Sequence, residues 1–155
     1  MRHISSFEEL DGVMSELHDC PFDLDDANFD EKVATWTGRF YRPVSEDPSA
    51  IERTKSRRVF SRYKMPVVLA SVCISGVQQV RLLDDPRIGW YTLNRIKRTS
   101  NGIRVEFCEA LKIDLDLTGP IDVTYVEDPL PGKCAVYRTF LSIWTGPRIE
   151  DVASD

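Results

Sequence analysis

The sequence is poor in the residues that carry most enzyme and metal chemistry. It has only two histidines and four cysteines in 155 residues. The cysteines form no CxxC pair, and such wide spacing argues against a disulfide framework. We expect reduced core thiols in a cytoplasmic protein. No glycine-rich phosphate loop and no G-x-S-x-G motif occurs. The sequence therefore predicts no cofactor and no metal. The cysteines are Cys20, Cys73, Cys108 and Cys134.

Long apolar runs are also missing. The longest strongly apolar stretch, Met65 to Val77, contains Pro66 and Gly76. It is shorter than a membrane-spanning helix, which needs about 20 apolar residues. No apolar segment follows the first residues, so no secretory signal is expected. We therefore predict no membrane partner.

Length and composition are those of a soluble globular protein. The chain has 155 residues, of which 42% are hydrophobic and 29% charged, and this fits one domain of ordinary size. Two prolines and three serines in the segment 43–56 predict a loop. We expect a single globular domain at 1–147 and a loose acidic tail at 148–155.

Charge is distributed very unevenly along the chain. Residues 1–52 hold 13 acidic and 4 basic side chains, residues 53–104 hold 2 and 12, and residues 105–155 hold 10 and 4. Such blocks indicate either an anionic partner for the middle third or internal pairing with the acidic flanks. The sequence leaves both readings open.

The first element is predicted to be an amphipathic helix. Apolar residues recur at helical spacing between Phe7 and Leu17. Ser6 followed by Glu9 has the form of a capping box. Pro21 sets the end of the helical region, because the residue before a proline is pushed away from helical geometry.

The rest of the chain is predicted to form β-strands. Val33 to Tyr41, Val67 to Ile74, Val77 to Leu83 and Cys134 to Trp144 are rich in β-forming residues. We predict an α+β, mainly β fold with one strongly curved or barrel-like antiparallel sheet and an N-terminal amphipathic helix.

The turn residues and the alternation of apolar residues predict the strand register of two hairpins. An Asn101-Gly102 turn places Ile96 opposite Phe107. A second hairpin would join 111–117 to 121–126 and place Leu115 opposite Val123. Period-2 alternation then predicts one buried face formed by Ile96, Phe107, Ile113, Leu115, Val123 and Tyr125.

The outer faces of these hairpins carry opposite charges. Clustered carboxylates at Asp114, Asp116 and Asp122 are the donor type that hard cations select. No known ligand spacing is present, so we favour salt bridges to the basic hairpin over a divalent-metal site.

Basic residues are the candidate binding residues. Arginine interleaved with Phe60 and Tyr63 can grip phosphates and stack bases. The acidic chain, with an isoelectric point near 5.1, disfavours a dedicated nucleic-acid binder. The candidates are Arg57, Arg58, Arg62, Lys64, Arg95, Lys97 and Arg104.

A short motif resembles a known group of proteins. Phe7, Leu10 and the run Leu17-His18-Asp19-Cys20, followed by strands, resemble small uncharacterised bacterial β-rich families. Some of these are proposed immunity proteins of toxin systems, which often open with a helix that ends in a Leu-His-Asp-like tripeptide. The basic segment from Arg53 to Arg62 departs from that layout. The resemblance implies protein binding rather than catalysis.

Three functions follow, in order of preference. The first is a small non-enzymatic protein-interaction domain that binds another protein or itself. The second is polyanion or nucleic-acid binding through the basic segment 53–104. The third is an enzyme whose site is assembled from distant residues. His18 and Asp19 form no predicted catalytic pair, because sequence neighbours on a helix do not face each other.

Overall fold

The computed structural model describes residues 1–44, 52–57, 60–140 and 143–152, without the side chains of residues 52–57, 60 and 144–146. The predicted mainly β class is confirmed, with one α-helix accompanying the strands. No helix in the described ranges has the length and apolar character needed to cross a bilayer.

The elements are β1 (Arg2–Ile4), α1 (Phe7–Glu16), β2 (Pro21–Asp23), the 3-10 helix η1 (Leu24–Asp26), β3 (Asn28–Asp30), β4 (Thr35–Pro43), β5 (Glu52–Arg57), β6 (Phe60–Ser75), β7 (Val77–Leu83), β8 (Trp90–Arg98), β9 (Gly102–Phe107), β10 (Lys112–Leu117), β11 (Val123–Phe140) and β12 (Ile143–Asp151).

The strands form one large antiparallel sheet. Its strand order is β1-β11-β6-β4-β2-β8-β9-β10-β7, with β12 added to β11, β3 to β4 and β5 to β6. Since the order begins at β1 and ends at β7, the sheet is not closed. Its predicted strong curvature stays a prediction.

Helix α1 begins where the capping pattern places it. Ser6 has extended backbone geometry, and its Oγ accepts the Glu9 backbone N–H at 3.2 Å. The Glu9 carboxylate accepts the backbone N–H of Ser5, at 3.1 Å, one residue before the position that a standard capping box uses. The apolar stripe of the helix is buried at Leu10, Val13, Met14 and Leu17.

The chain groups into two compact units. Unit 1 comprises Met1–Phe40 and Ala70–Glu127, and unit 2 comprises Tyr41–Leu69 and Asp128–Asp155. Strands β6 and β11 contribute residues to both units. The extent of the predicted single domain stays a prediction.

Unit 1 contains a continuous apolar core. Phe22 packs against Phe40 and Phe107, with ring centroids 5.1 and 4.8 Å apart. The six residues predicted to share a buried face are all buried in this core: Ile96, Phe107, Ile113, Leu115, Val123 and Tyr125.

The first hairpin forms with a different register. Ile96 pairs with Val105, and not with Phe107 as predicted. The prediction was wrong because the turn is Ser100-Asn101, closed by the Thr99 backbone N–H donating to the carbonyl oxygen of Gly102 at 3.0 Å. Gly102 itself lies inside β9, where a Cβ atom would stand 2.0 Å from the carbonyl oxygen of Leu115 in β10. The shift is two residues, so every side chain keeps its predicted face.

The second predicted hairpin does not form. Leu115 pairs with Ile103 on one side and with Val80 on the other, whereas Val123 pairs with Ile4. The prediction assumed that consecutive strands are neighbours, which is a tendency and not a rule. The burial of both strands on the same core preserves the predicted face.

Parts of the segments predicted as loop and tail form strands. Residues 45–51 lie outside the described part of the chain, but Glu52–Arg57 forms β5 on β6. At the other end, β12 continues through residues 148–151, and Lys133 pairs with Asp151 at 2.7 Å. The loop assignment is therefore wrong for Pro43, which ends β4, and for 52–56, and the tail assignment is wrong for 148–151, because these residues belong to paired strands. Residues 153–155 lie outside the described residues.

Candidate functional site

Strand β7 is the last strand in the order of the sheet. Among the described strands it pairs with β10 alone. The backbone N–H of its first residue, Val77, donates to the carbonyl oxygen of Ala34, which immediately precedes β4, at 2.9 Å. A bulge between Asp116 and Leu117 of β10 shifts the pairing at the same end. The rest of β7, residues 78–83, forms an edge that another strand can join.

The core-facing side of this edge ends in an exposed leucine. A cross-strand row runs through β8, β9, β10 and β7 at Ile96, Val105, Ile113 and Leu82. Relative exposure along the row is 5%, 0%, 0% and 48%. Leu82 is thus the last apolar residue of an otherwise buried row, and no described strand lies beyond it to cover its side chain.

A second row supports the same interpretation. It runs through Ile103, Leu115 and Val80. Ile103 and Leu115 are buried, whereas Val80 is only partly buried against the core. Val80 and Leu82 therefore present adjacent apolar surface along the edge, because residues two apart in a strand share a face.

The outer face of the same four strands carries paired charges. Arg104 binds Asp114 through two hydrogen bonds, of 2.6 and 2.9 Å. Arg81 lies 3.0 Å from Asp116 and 3.6 Å from Asp114. Hydrogen bonding to Arg104, more than any other influence, holds the pKa of Asp114 below its usual value. The predicted salt bridging between the basic and acidic hairpins is present at Arg104.

A second ion cluster occupies the neighbouring strands. Arg95 Nε lies 2.7 Å and Lys97 Nζ 2.9 Å from the Glu106 carboxylate. Burial raises the pKa of Glu106, but hydrogen bonds from the two cations outweigh it and leave that pKa lowered. Arg95 and Lys97 thus bind Glu106 of their own hairpin, and not the aspartates predicted for them.

Internal pairing accounts for most of the described basic side chains of the middle third. Eight of its twelve basic residues have described side chains, and six of these eight form ion pairs. The carboxylates come from the acidic flanks, Glu8 before the segment and Glu106, Asp114, Asp116 and Glu150 after it. The six paired cations are Arg62, Arg81, Arg95, Lys97, Arg98 and Arg104.

The predicted binding residues are divided between the two units. Arg95, Lys97 and Arg104 belong to unit 1, whereas Arg57, Arg62 and Lys64 belong to unit 2. Within unit 2, Arg62 pairs with Glu150, and the backbone of Lys64 stands opposite Glu52. The side chain of Arg57 and the whole of Arg58 lie outside the described part of the chain. That these residues bind a partner stays a prediction.

The three aspartates considered for a metal are not gathered at one point. Asp114 and Asp116 contact Arg81, whereas Asp122 lies 3.6 Å from His3. The described residues contain no group of three or more His, Cys, Asp or Glu placed to hold a metal ion.

His18 and Asp19 do contact each other, contrary to the expectation from helix geometry. Helix α1 ends at Glu16, and Asp19 has a positive φ of 64°. The backbone N–H of Asp19 donates to the carbonyl of Leu93 at 2.9 Å. The two side chains meet at 3.1 Å and are 50% and 69% exposed. The His18 backbone N–H donates to the carbonyl oxygen of Ser15 at 3.2 Å, but among the described residues no hydrogen bond joins the His18 imidazole to a serine or cysteine side chain.

Unit 2 has an apolar groove of its own. The groove has a volume of about 510 Å³, and Pro66, Leu130 and Pro131 contribute to its walls. Val152 borders it and is 48% exposed, the same fraction as Leu82 of unit 1. This equality makes the two residues a matched pair for testing which surface binds a partner.

Sequence reasoning did not identify the β7 edge. The strand 77–83 was predicted with its correct bounds, and alternation already separates Val80 and Leu82 from Gln79 and Arg81. Its position at the end of the sheet depends on which strands pair, and no local signal reports that. No family model matches the chain, and comparison with curated proteins and with solved structures finds no match.

Proposed function

We propose that this chain is a small non-enzymatic, cytoplasmic protein-interaction domain that receives a strand of its partner along the β7 edge. The observation that carries the proposal is Leu82, which ends a buried apolar row and is itself 48% exposed. The strong curvature predicted for the sheet belongs to this proposal as well, since curvature would decide how long a partner strand can follow the edge.

Strand addition supplies both affinity and selectivity. Main-chain hydrogen bonds along an edge give affinity, and side chains at alternate positions give specificity. An added strand would also cover Leu82 and Val80. Full burial of a leucine side chain is worth about 1.5–3 kcal/mol, so covering the exposed half of Leu82 contributes on the order of 1 kcal/mol.

The pairing of the basic third supports protein binding over polyanion binding. The carboxylate beside a paired cation largely cancels its charge, so such pairs give a long polyanion little net positive charge to follow. Arg95, Lys97 and Arg104 are all held in this way. Solvated surfaces with both signs interspersed suit protein contacts better than a long uniform polyanion.

Polyanion binding remains the second candidate, and one observation favours it. The hairpin of β5 and β6 belongs to unit 2, and the segment 52–64 contains six basic residues and one acidic residue. Each phosphate neutralised would add about 0.9 to the slope of log affinity against log salt. We expect only weak association that disappears at physiological salt.

The test selects peptides from a random ten-residue display library against the full chain and measures binding by fluorescence anisotropy. Leu82→Arg should weaken the selected peptides about tenfold or more, because it removes apolar cover and places a charge in the interface. Val152→Arg, at an equally exposed apolar site of unit 2, is the control and should change affinity less than about twofold.

Two results would contradict the proposal. One is a failure to enrich any peptide whose binding depends on Leu82. The other is micromolar or tighter binding of single-stranded DNA at physiological salt that is lost when Arg57 and Arg58 are changed to Glu, which would favour the polyanion candidate.

A further inference from the structure

The charge pattern at the β7 edge specifies the chemistry of the strand that would join it. On the outer face, a cross-strand row runs through β8, β9, β10 and β7 at Lys97, Arg104, Asp114 and Arg81. The row therefore ends on a cation at the edge. The Arg81 side chain is 42% exposed, so part of it remains accessible to a residue on the next strand.

We infer that the partner segment carries an apolar, an acidic and an apolar residue in succession. This inference rests on the proposed function. The apolar residues would face Leu82 and Val80, and the acidic residue between them would face Arg81. Opposite charges placed directly across two strands stabilise the pair, and like charges destabilise it.

The chain already contains this pattern on the other side of β7. Strand β10 presents Ile113, Asp114 and Leu115 to Leu82, Arg81 and Val80, in that order. A partner segment would repeat on the open side what β10 presents on the paired side. Strand β7 thus already pairs with one neighbouring strand of apolar-acidic-apolar pattern.

Local electrostatics permit the additional acidic residue. Arg81 and Arg104 face Asp114 and Asp116, two charges of each sign within contact distance. This cluster is formally neutral, so an acidic partner residue meets no net negative charge there. A basic residue in its place would lie directly opposite Arg81 and be repelled.

A second copy of this chain fits the edge less well than such a segment. Antiparallel pairing of β7 with β7 matches Leu82 to Val80 only when Arg81 stands opposite Arg81. A register centred on Val80 would avoid that repulsion but would place Leu82 opposite Gln78. A register centred on Leu82 pairs the two leucines but places Val80 opposite Asp84. None of the three registers satisfies both faces, so we commit to a different protein as the occupant.

The test uses a defined probe, a fluorescein-labelled peptide with the sequence of residues 111–118, LKIDLDLT. Its control has lysine at the positions of Asp114 and Asp116. Anisotropy titrations against the full chain should show the acidic peptide binding about fivefold or more tightly than the lysine peptide. Arg81→Glu should reverse that order.

Substitutions at Leu82 and Val152 show which surface binds the peptide. Leu82→Arg should weaken the acidic peptide about tenfold, and the milder Leu82→Ala should weaken it by less. Val152→Arg should leave affinity within about twofold of the wild type. Circular dichroism and thermal unfolding of each variant establish that a loss of binding is not a loss of fold.

The outcomes separate this inference from the proposed function. Equal binding of both peptides, still dependent on Leu82, would overturn the acidic pattern and leave the β7 edge as the interaction site. Binding weakened by Val152→Arg and not by Leu82→Arg would overturn both in favour of unit 2. Absence of binding by either peptide to the wild-type chain would overturn the inferred pattern. Concentration-dependent dimerisation of the chain that Leu82→Arg abolishes would identify a second copy as the occupant, and would contradict the commitment to a different protein.

Discussion

The two compact units differ in charge and in the extent of their cores. Unit 1 contains 18 acidic and 10 basic residues, a formal charge of −8, and unit 2 contains 7 acidic and 10 basic residues, a formal charge of +3. The continuous apolar core lies in unit 1. Unit 2 holds only a short set of fully described buried apolar residues: Val67, Cys134, Ala135 and Val136.

This comparison shows that a segment with an excess of one charge sign in the sequence need not form a region of that sign in the folded protein. The basic middle third and the acidic last third contribute to the same outer face of unit 1, where Arg104 binds Asp114. The excess of basic residues persists only in unit 2, where the segment 52–64 is located. Folding therefore separates the paired part of the basic segment from the part that retains excess charge.

The largest expected effect tests where the core lies. Phe107→Ala should reduce the free energy of unfolding by about 3–5 kcal/mol, because it leaves a cavity beside Phe22 in a packed core. Urea unfolding measures this loss. The matched change in unit 2, Val136→Ala, should cost less, since a smaller side chain is removed. A cost below about 1 kcal/mol for Phe107→Ala would place that residue at the surface.

The next effect tests the buried ion pairs of unit 1. Asp114→Asn should cost about 2 kcal/mol, because hydrogen bonds to charged groups are among the stronger ones and Arg104 loses its anionic partner. Urea unfolding at neutral pH is the measurement. Asp122→Asn, at an exposed aspartate of the same unit, serves as the control and should be nearly neutral.

The pH dependence of stability follows from the direction of the pKa shifts. The pKa values of Asp114 and Glu106 are lowered on folding from reference values of 3.8 and 4.5. Their contribution is therefore fully present above those reference values and is lost as pH falls through the lower, folded pKa values. Unfolding between pH 6 and pH 2 should show a decline that is shallower in Asp114→Asn. An unchanged slope in that variant would contradict the assignment.

The smallest expected effect tests the ion pairs of Glu150 in unit 2. Glu150 pairs with Arg62, both side chains being about one-third exposed, and lies 3.5 Å from Arg138. Glu150→Gln should cost about 0–1 kcal/mol, since solvent screens exposed pairs, and added salt should reduce the difference further. A cost equal to that of Asp114→Asn would remove the distinction between the ion pairs of the two units.

Local elements were predictable from the sequence because their signals are local. The cap at Ser6 and the bounds of β7 follow from residues within a few positions of each other. Pairing was not predictable in the same way. Gly102 enters β9 because β10 packs closely on it, and that contact comes from a strand about ten residues further along the chain.

The amino-acid sequence by itself determined which side chains face the core and which face solvent, because alternation along a strand does not change when pairing shifts by two residues. Ile96 and Phe107 are buried although they are not partners. Only the tertiary structure decided which strands are neighbours, and therefore that β7 ends the sheet with Leu82 exposed. Strand order depends on hydrogen bonding and burial between distant segments, and it is these that create the candidate site.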